Sequence, residues 1–126
     1  ADPNPVHRRI ISEKHGIPAD RQFESHKDIA RRPGLADAVL NATRDRDHYR
    51  TAKPLLEAGY NMLLEKPIVL SEKHLRDLVA TARKHKRIVM IGHVLRYAPF
   101  YSTIKQMILD GKIGQIVSLR TLEAVS

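Results

Sequence analysis

Hydrophobic residues recur along the chain at two spacings, one typical of helices and one typical of buried strands. After Ser71, apolar residues follow at i, i+3, i+4 and i+7 and so share one face of a helix: Leu75, Leu78, Val79 and Ala82. Short, nearly continuous apolar runs instead predict strands that are covered on both faces. Three such runs are present, at residues 36–42, 60–64 and 88–91.

Helix boundaries are marked by proline, glycine and capping residues. Pro5 is suited to a first helical turn, and Gly16 to a helix stop. Ser25 and Asp28 resemble a capping box, with Asp in place of the usual Glu, and predict the start of a short helix. Because proline forfeits a backbone hydrogen bond, Pro54 is expected to kink its helix or to mark the true start. Two more helices are predicted, at residues 47–58 and 99–109.

Three weaker features complete the predicted elements. A short strand is expected at residues 22–24, and a final strand at residues 116–123. The last helix is expected to bury three apolar side chains, Ile104, Met107 and Ile108.

The order of elements predicts the fold class. Strands that alternate with helices of about ten to fifteen residues indicate a parallel sheet, so we expect an α/β protein with a partial doubly wound, Rossmann-like sheet. Such a sheet should not begin with a helix. No two of the six glycines have the G-x-G spacing of a dinucleotide-binding loop. We therefore expect the first strand and its glycine-rich loop to be missing.

Composition excludes several classes of site and partner. Of the 126 residues, 42% are hydrophobic and 29% charged, and none is cysteine. Disulfides, thiolate metal sites and cysteine nucleophiles are thereby excluded, and a reducing, cytoplasmic location is expected. No apolar run approaches the roughly 20 residues that cross a bilayer, so no membrane partner is expected.

The net charge of +8 raises the question of a nucleic-acid partner. The basic residues are spread along the chain, and only 5% of residues are aromatic, too few for an evident base-stacking platform. We interpret the charges as solvated helix faces and expect no nucleic-acid partner. A nucleic-acid complex would show an affinity that falls steeply with salt.

Polar residues end two of the predicted strands. Asn41-Ala42-Thr43 closes one strand and Glu65-Lys66-Pro67 follows the next, at the carboxyl ends where open α/β sheets bind ligands. A lysine there can donate a hydrogen bond to a substrate hydroxyl or a ribose. Taken alone, however, the second tripeptide is more typical of a surface turn.

The seven histidines show no recognised metal-ligand spacing, and no metal site is expected. Most of them are interpreted as surface helix residues. His48 and His93 are expected to line a cleft, although a satisfied structural role fits either residue equally well.

The ordered set of motifs resembles one family of oxidoreductases. The set consists, in chain order, of Asn41-Ala42-Thr43, His48, Glu65-Lys66-Pro67, Gly92-His93-Val94-Leu95-Arg96-Tyr97 and Asp110-Gly111-Lys112-Ile113-Gly114. It resembles the Gfo/Idh/MocA family, which includes glucose–fructose oxidoreductase and inositol dehydrogenases. The resemblance implies hydride transfer between a nicotinamide cofactor, NAD with NADP left open, and a sugar, cyclitol or related polyol.

The resemblance also implies roles for individual residues. Lys66 matches the catalytic lysine beside the nicotinamide ribose and the reacting hydroxyl. Glu65 matches its cofactor-side neighbour, and the Lys66–Pro67 bond is a candidate for the cis form that is common there. The remaining cofactor-binding matches are the loop Asn41, Ala42 and Thr43, then Arg96 with Tyr97, and Asp2 on the adenosine ribose, which favours NAD.

Three departures from the family pattern matter. Arg44 stands where proline is usual, Pro54 interrupts the following helix, and the family's catalytic histidine lies in a substrate domain. The resemblance divides the chain into a truncated nucleotide-binding domain, residues 1–114, and the first strand of an otherwise absent substrate domain, residues 115–126. The alternative is an inactive structural or binding module that pairs with another chain. Homo-oligomer formation is left open.

Overall fold

A computed structural model describes residues 1–122 of the chain. The chain folds as two compact units, the first ending at Gly92 and the second beginning at His93. The first unit contains the sheet and the strand-end motifs, and the second contains the last helix.

A parallel three-stranded sheet forms the centre of the first unit. Strands β1 (Ala38–Asn41), β2 (Asn61–Leu64) and β3 (Val89–Ile91) pair in that order. Asn41 lies opposite Leu64, and Leu64 lies opposite Ile91, so all three strands end level with one another. The predicted α/β class and parallel sheet are therefore confirmed.

Five α-helices are found within residues 1–122, and they begin and end close to the predicted signals. Asn4 caps α1 (Pro5–His15), its side-chain oxygen accepting from the Val6 amide at 2.9 Å, and Gly16 ends this helix with a φ of 61°. The predicted capping box of Ser25 and Asp28 opens α2. The helices are α1 (Pro5–His15), α2 (His26–Ala30), α3 (His48–Glu57), α4 (Glu72–Lys84) and α5 (Pro99–Leu109).

The hydrophobic core lies between one face of the sheet and helices α3 and α4. Met62 and Leu64 point from β2 into this core, where they meet α3 and α4 residues that are at most 4% exposed. Full burial of one such side chain stabilises the fold by roughly 1.5–3 kcal/mol. The α3 and α4 members are Ala52, Leu55, Leu56 and Leu78, and Tyr60 joins them.

The opposite face of the sheet is not covered within this unit. Leu40 is 70% exposed and Met90 47% exposed, and both lie in register with Leu63 of the central strand. The expectation that the strands are covered on both faces is thus wrong for the described residues. The physical reason is that the helices of the core, α3 and α4, pack against the other face.

Two predicted strands do not form. Residues 22–24 make one backbone hydrogen bond with the start of the chain, in which the Asp2 amide donates to the Phe23 carbonyl at 3.1 Å. They do not pair as a β-strand. Residues 116–122 form neither helix nor strand and are exposed, Val117 by 94%, because they pair with no strand in the described chain. Glu123, the last residue of that prediction, lies outside the described residues.

Two predictions about helices also need correction. Helix α3 begins at His48, six residues before Pro54, so the proline does not mark its start. Helix α5 has the predicted bounds but buries none of its side chains. Ile104 and Met107 are 37% and 38% exposed, and Ile108 is only half-buried.

No helix within residues 1–122 combines the length and the apolar character needed to cross a bilayer.

Candidate functional site

The two strand-end tripeptides lie at the same edge of the sheet. The Glu65 amide donates to the Asn41 carbonyl at 3.0 Å, which extends the pairing of β1 and β2 one residue past the end of β2. Gly92 continues the pairing on the other side, its amide donating to the Leu64 carbonyl at 2.8 Å. The loops that carry Thr43 and Lys66 therefore start side by side, as the sequence predicted.

Asn41 shapes the loop that follows β1. Its side chain is buried, and its amide nitrogen donates to the Thr51 hydroxyl at 2.9 Å. Its side-chain oxygen accepts from the Thr43 hydroxyl, also at 2.9 Å. These bonds bend the chain back towards α3 and leave Ala42 and Thr43 at the surface. Asn41 thus contributes to this edge of the sheet by fixing the conformation of the loop that carries Ala42 and Thr43.

Arg44, the first departure from the family pattern, has backbone angles that a proline can also adopt. Its φ is −68° and its ψ 148°, and a φ near −65° is the one that a proline ring imposes. The Arg44 carbonyl accepts from the Asp47 amide at 2.7 Å and opens the short 3₁₀ helix Asp45–Asp47. The loop therefore already has the backbone conformation that the usual proline would give at this position.

Lys66 is exposed at the tip of the neighbouring loop. No ion pair or hydrogen bond of its ammonium group is found within residues 1–122. The Lys66–Pro67 peptide bond is cis, as the family resemblance suggested. An unengaged ammonium group at a strand end is a donor available to a ligand hydroxyl.

Glu65 lies against the end of the third strand. A Cβ atom on Gly92 would meet the Glu65 carboxylate at 3.0 Å, so the lack of a side chain at Gly92 gives that carboxylate its place. The same carboxylate accepts from the Lys66 amide at 3.2 Å. Glu65 therefore connects the Lys66 loop to the end of β3.

His48 lies buried beneath both loops. Its Nε2 is 2.9 Å from the Thr43 carbonyl oxygen, and its Nδ1 is 2.6 Å from the Pro67 carbonyl oxygen. Of the two roles that the sequence left open, the structure gives His48 the structural one, because the ring is fully buried between the two loops. His93 is exposed and belongs to the second unit.

The other two predicted cofactor residues, Asp2 and Arg96, belong to other segments of the chain. Asp2 has local contacts: its carboxylate accepts from the Asn4 amide at 2.8 Å and lies 3.7 Å from His7 Nδ1. Arg96 is exposed in the 3₁₀ helix Val94–Tyr97 of the second unit. The structure brings together five of the predicted residues, Asn41, Ala42, Thr43, Glu65 and Lys66. The cofactor-binding and catalytic roles of all seven residues stay predictions.

Thr51 and Gly92 are the residues of this edge to which sequence reasoning gave no role. Thr51 lies ten positions beyond Asn41 and has no motif of its own, so no local signal pointed to it. Gly92 was found within a motif, and its place directly after the third apolar run was the signal that could have assigned it to the edge. Within the described residues, no cluster of three or more His, Asp or Glu side chains could hold a metal ion.

Comparison with known proteins identifies the family to which this chain belongs. Residues 1–93 match the model of the oxidoreductase family with an NAD-binding Rossmann fold. The chain belongs to the Gfo/Idh/MocA family. The resemblance inferred from the motifs is therefore confirmed, and the three parallel strands are part of a Rossmann fold.

Relatives and solved structures agree with this assignment. The chain is 32% identical over 94 residues to an inositol 2-dehydrogenase/D-chiro-inositol 3-dehydrogenase of Lactiplantibacillus plantarum, covering 74% of this chain and 27% of that protein. A 2,7-anhydro-N-acetylneuraminate hydratase of Mediterraneibacter gnavus is 35% identical over 81 residues, which cover 64% of this chain and 22% of that protein. The solved structure of an inositol dehydrogenase homologue of Azotobacter vinelandii in complex with NAD⁺ matches with a TM-score of 0.76 and 25% identity. The match covers 90% of this chain and 30% of that one. The chain thus spans less than a third of each of these relatives.

Proposed function

We propose that this chain is the nucleotide-binding part of an oxidoreductase that transfers hydride between NAD(H) and a sugar, cyclitol or related polyol. The observation that carries the proposal is the unengaged Lys66 ammonium group beside the Thr43 loop, at the carboxyl edge of a family-typical sheet. Relatives named as inositol dehydrogenases support a polyhydroxylated substrate. The lack of cysteine supports a reducing, cytoplasmic location.

The residues present fit a dinucleotide at this edge. Ala42 and Thr43 lie exposed on one loop, and Lys66 lies exposed on the next. In open α/β sheets, such a crevice outside the carboxyl ends of the strands is where dinucleotides bind. The nicotinamide ring would supply the hydride chemistry, and the chain would supply binding and orientation.

Lys66 would act on the substrate hydroxyl. An ammonium group with no internal partner can donate to the hydroxyl oxygen and stabilise the negative charge that develops there during the reaction. The contact between the Glu65 carboxylate and the Lys66 amide, at 3.2 Å, would hold the backbone from which that donor projects. Lys66 is accordingly the catalytic residue of this proposal, and Glu65 supports its backbone.

Asp2 would select the cofactor. A carboxylate near the adenosine ribose accepts hydrogen bonds from the ribose hydroxyls and repels the additional phosphate of NADP. The Asp2 carboxylate is partly exposed: one oxygen accepts from the Asn4 amide, and the other lies 3.7 Å from His7 Nδ1, so a ribose hydroxyl would share that second oxygen with the imidazole. We therefore propose NAD as the cofactor.

The test is hydride transfer by the complete protein that carries this chain. With NAD⁺ and a panel of inositols and aldoses, NADH formation is expected with at least one substrate, and Lys66→Ala should lower kcat by roughly 10²–10⁴-fold. Lys73→Ala, at an exposed position of α4, is the matched control and should leave kcat unchanged. Equal turnover by the Lys66→Ala and wild-type proteins would remove Lys66 from catalysis. Absence of NADH formation across the panel would contradict the proposed substrate class.

A further inference from the structure

His48 is fully buried, and both of its ring nitrogens lie against backbone carbonyl oxygens. The two carbonyls belong to different loops: Thr43 follows β1, and Pro67 follows β2. A neutral imidazole has one N–H, and an imidazolium has two. Only the imidazolium form can donate to both loop carbonyls at once, whereas a neutral ring donates to one of them and turns its unprotonated nitrogen towards the other.

The place of this contact in the fold sets it apart from an ordinary core histidine. The strand pairing of β1 and β2 ends with the bond from the Glu65 amide to the Asn41 carbonyl. Beyond that bond, no hydrogen bond other than those of His48 connects residues 42–47 with residues 66–70 in the described chain. His48 thus connects the two loops that follow β1 and β2, beyond the last hydrogen bond between these strands.

The two carbonyls lie directly beside the groups proposed to bind the cofactor and the substrate. The Thr43 carbonyl belongs to the exposed loop of Ala42 and Thr43, and the Pro67 carbonyl is one residue beyond Lys66. A displacement of about 1 Å at a reacting group can cost roughly 10²-fold in rate. The separation of the two loops is therefore a quantity on which catalysis would depend.

We propose that His48 is a positioning residue that holds the Thr43 loop and the Lys66 loop at a fixed separation. Its contacts would set the spacing between the cofactor loop and the substrate donor without touching either ligand. The functional part of this inference rests on the proposed oxidoreductase activity. The tethering itself is a property of the folded chain.

Two substitutions can separate the two contacts. The side-chain amide of asparagine occupies a place similar to that of Nδ1, so His48→Asn can keep the bond to Pro67 and lose the bond to Thr43. Glutamine reaches the place of Nε2, so His48→Gln should do the reverse. Both variants place a polar amide under the loops, which limits the loss of hydrogen bonding that a removed partner would cause.

Tethering is measured on the 126-residue chain by NMR. The amides of Arg44 and Ile68 belong to the peptide groups whose carbonyls face His48, and their resonances report the two contacts separately. His48→Asn should shift mainly the Arg44 amide, and His48→Gln mainly the Ile68 amide. Leu78→Ala, which opens the hydrophobic core through α4, is the control for general destabilisation and should not shift one of the two amides more than the other. Equal shifts in both histidine variants would overturn the tether.

Positioning is measured in the complete enzyme by separating KM from kcat. His48→Asn should raise KM for NAD about tenfold and change kcat little, whereas His48→Gln should lower kcat about tenfold and change KM little. A merely structural histidine would change both parameters alike in the two variants, and that result would overturn the positioning role. If the wild-type protein transfers no hydride, the oxidoreductase proposal fails, while the NMR result still decides the tether.

Discussion

Asn41 and Thr51 form a buried hydrogen bond, 2.9 Å long, that ties the end of the first strand to the helix that follows it. The Thr51 hydroxyl also donates to the Asp47 carbonyl at 2.9 Å, which leaves its oxygen free to accept from Asn41. Since Asn41 in turn accepts from Thr43, the loop after β1 is shaped from inside the protein.

Replacing Thr51 by valine should therefore destabilise the chain by about 1–3 kcal/mol. The substitution keeps the volume of the side chain but leaves the buried Asn41 amide without its acceptor, and an unsatisfied buried donor costs about that much. The measurement is the free energy of unfolding in urea. Thr81→Val is the matched control, because Thr81 is equally buried but has no comparable side-chain partner among the described residues. A loss no greater than that of the control would mean that the bond contributes little.

The contact of Glu65 with Gly92 gives a second prediction. Gly92→Ala should leave the fold intact, because the atoms that a new Cβ would meet are the end of a flexible side chain, at 3.0 Å. The Glu65 carboxylate should move, and the Lys66 amide, which donates to it, should shift in the NMR spectrum. In a Glu65→Ala background the same substitution should have no effect on the Lys66 amide. An equal shift in both backgrounds would show that the glycine acts by another route.

The sequence predicted most of the first unit because its signals are local. Proline, glycine and capping residues determine helix ends within a turn of backbone, as Pro5 and Gly16 do for α1. An apolar run directly before a polar tripeptide marks where a strand ends. Parallel strands that end level place those tripeptides together, so the neighbourhood of Thr43 and Lys66 was predictable.

What the sequence did not predict depends on contacts between distant residues. Thr51 is a helix residue without a distinguishing pattern, and only the fold shows that it meets Asn41. An apolar run such as that around Leu40 indicates a strand, but it does not say which faces are covered. Likewise, Phe23 is buried without being in a strand, and the Arg32 guanidinium lies 5.0 Å from the centre of its ring.

Acid should destabilise the chain through His26. Burial, together with the nearby Arg50 charge, lowers the pKa of His26 below its ordinary value of 6.5, and its Nε2 is buried with no hydrogen-bond partner among residues 1–122. A group whose pKa is lower in the folded state contributes stability that is fully present above the unfolded pKa and is lost as pH falls through the folded one. Unfolding free energy should therefore fall below about pH 6.5.

The histidine responsible can be identified by substitution. His26→Gln should remove this part of the pH dependence, whereas His7→Gln, at an exposed position of α1, should keep it. An NMR titration of the His26 ring checks the direction independently. A midpoint above that of exposed histidines in the same chain would contradict the assigned cause.

Arg44→Pro should stabilise the chain, by about 0.4–1 kcal/mol, although it replaces a charged residue in a loop beside the candidate site. The φ of −68° is already that of proline, and no hydrogen bond from the Arg44 amide is found within residues 1–122. The substitution would therefore lose nothing in the folded state while it restricts the unfolded chain. Arg44→Ala removes the same side chain without restricting φ, so the difference between the two variants in urea unfolding isolates the backbone effect. If the proline variant is the less stable of the two, Thr43 does not have the extended conformation that a following proline requires, and the loop differs from the family pattern after all.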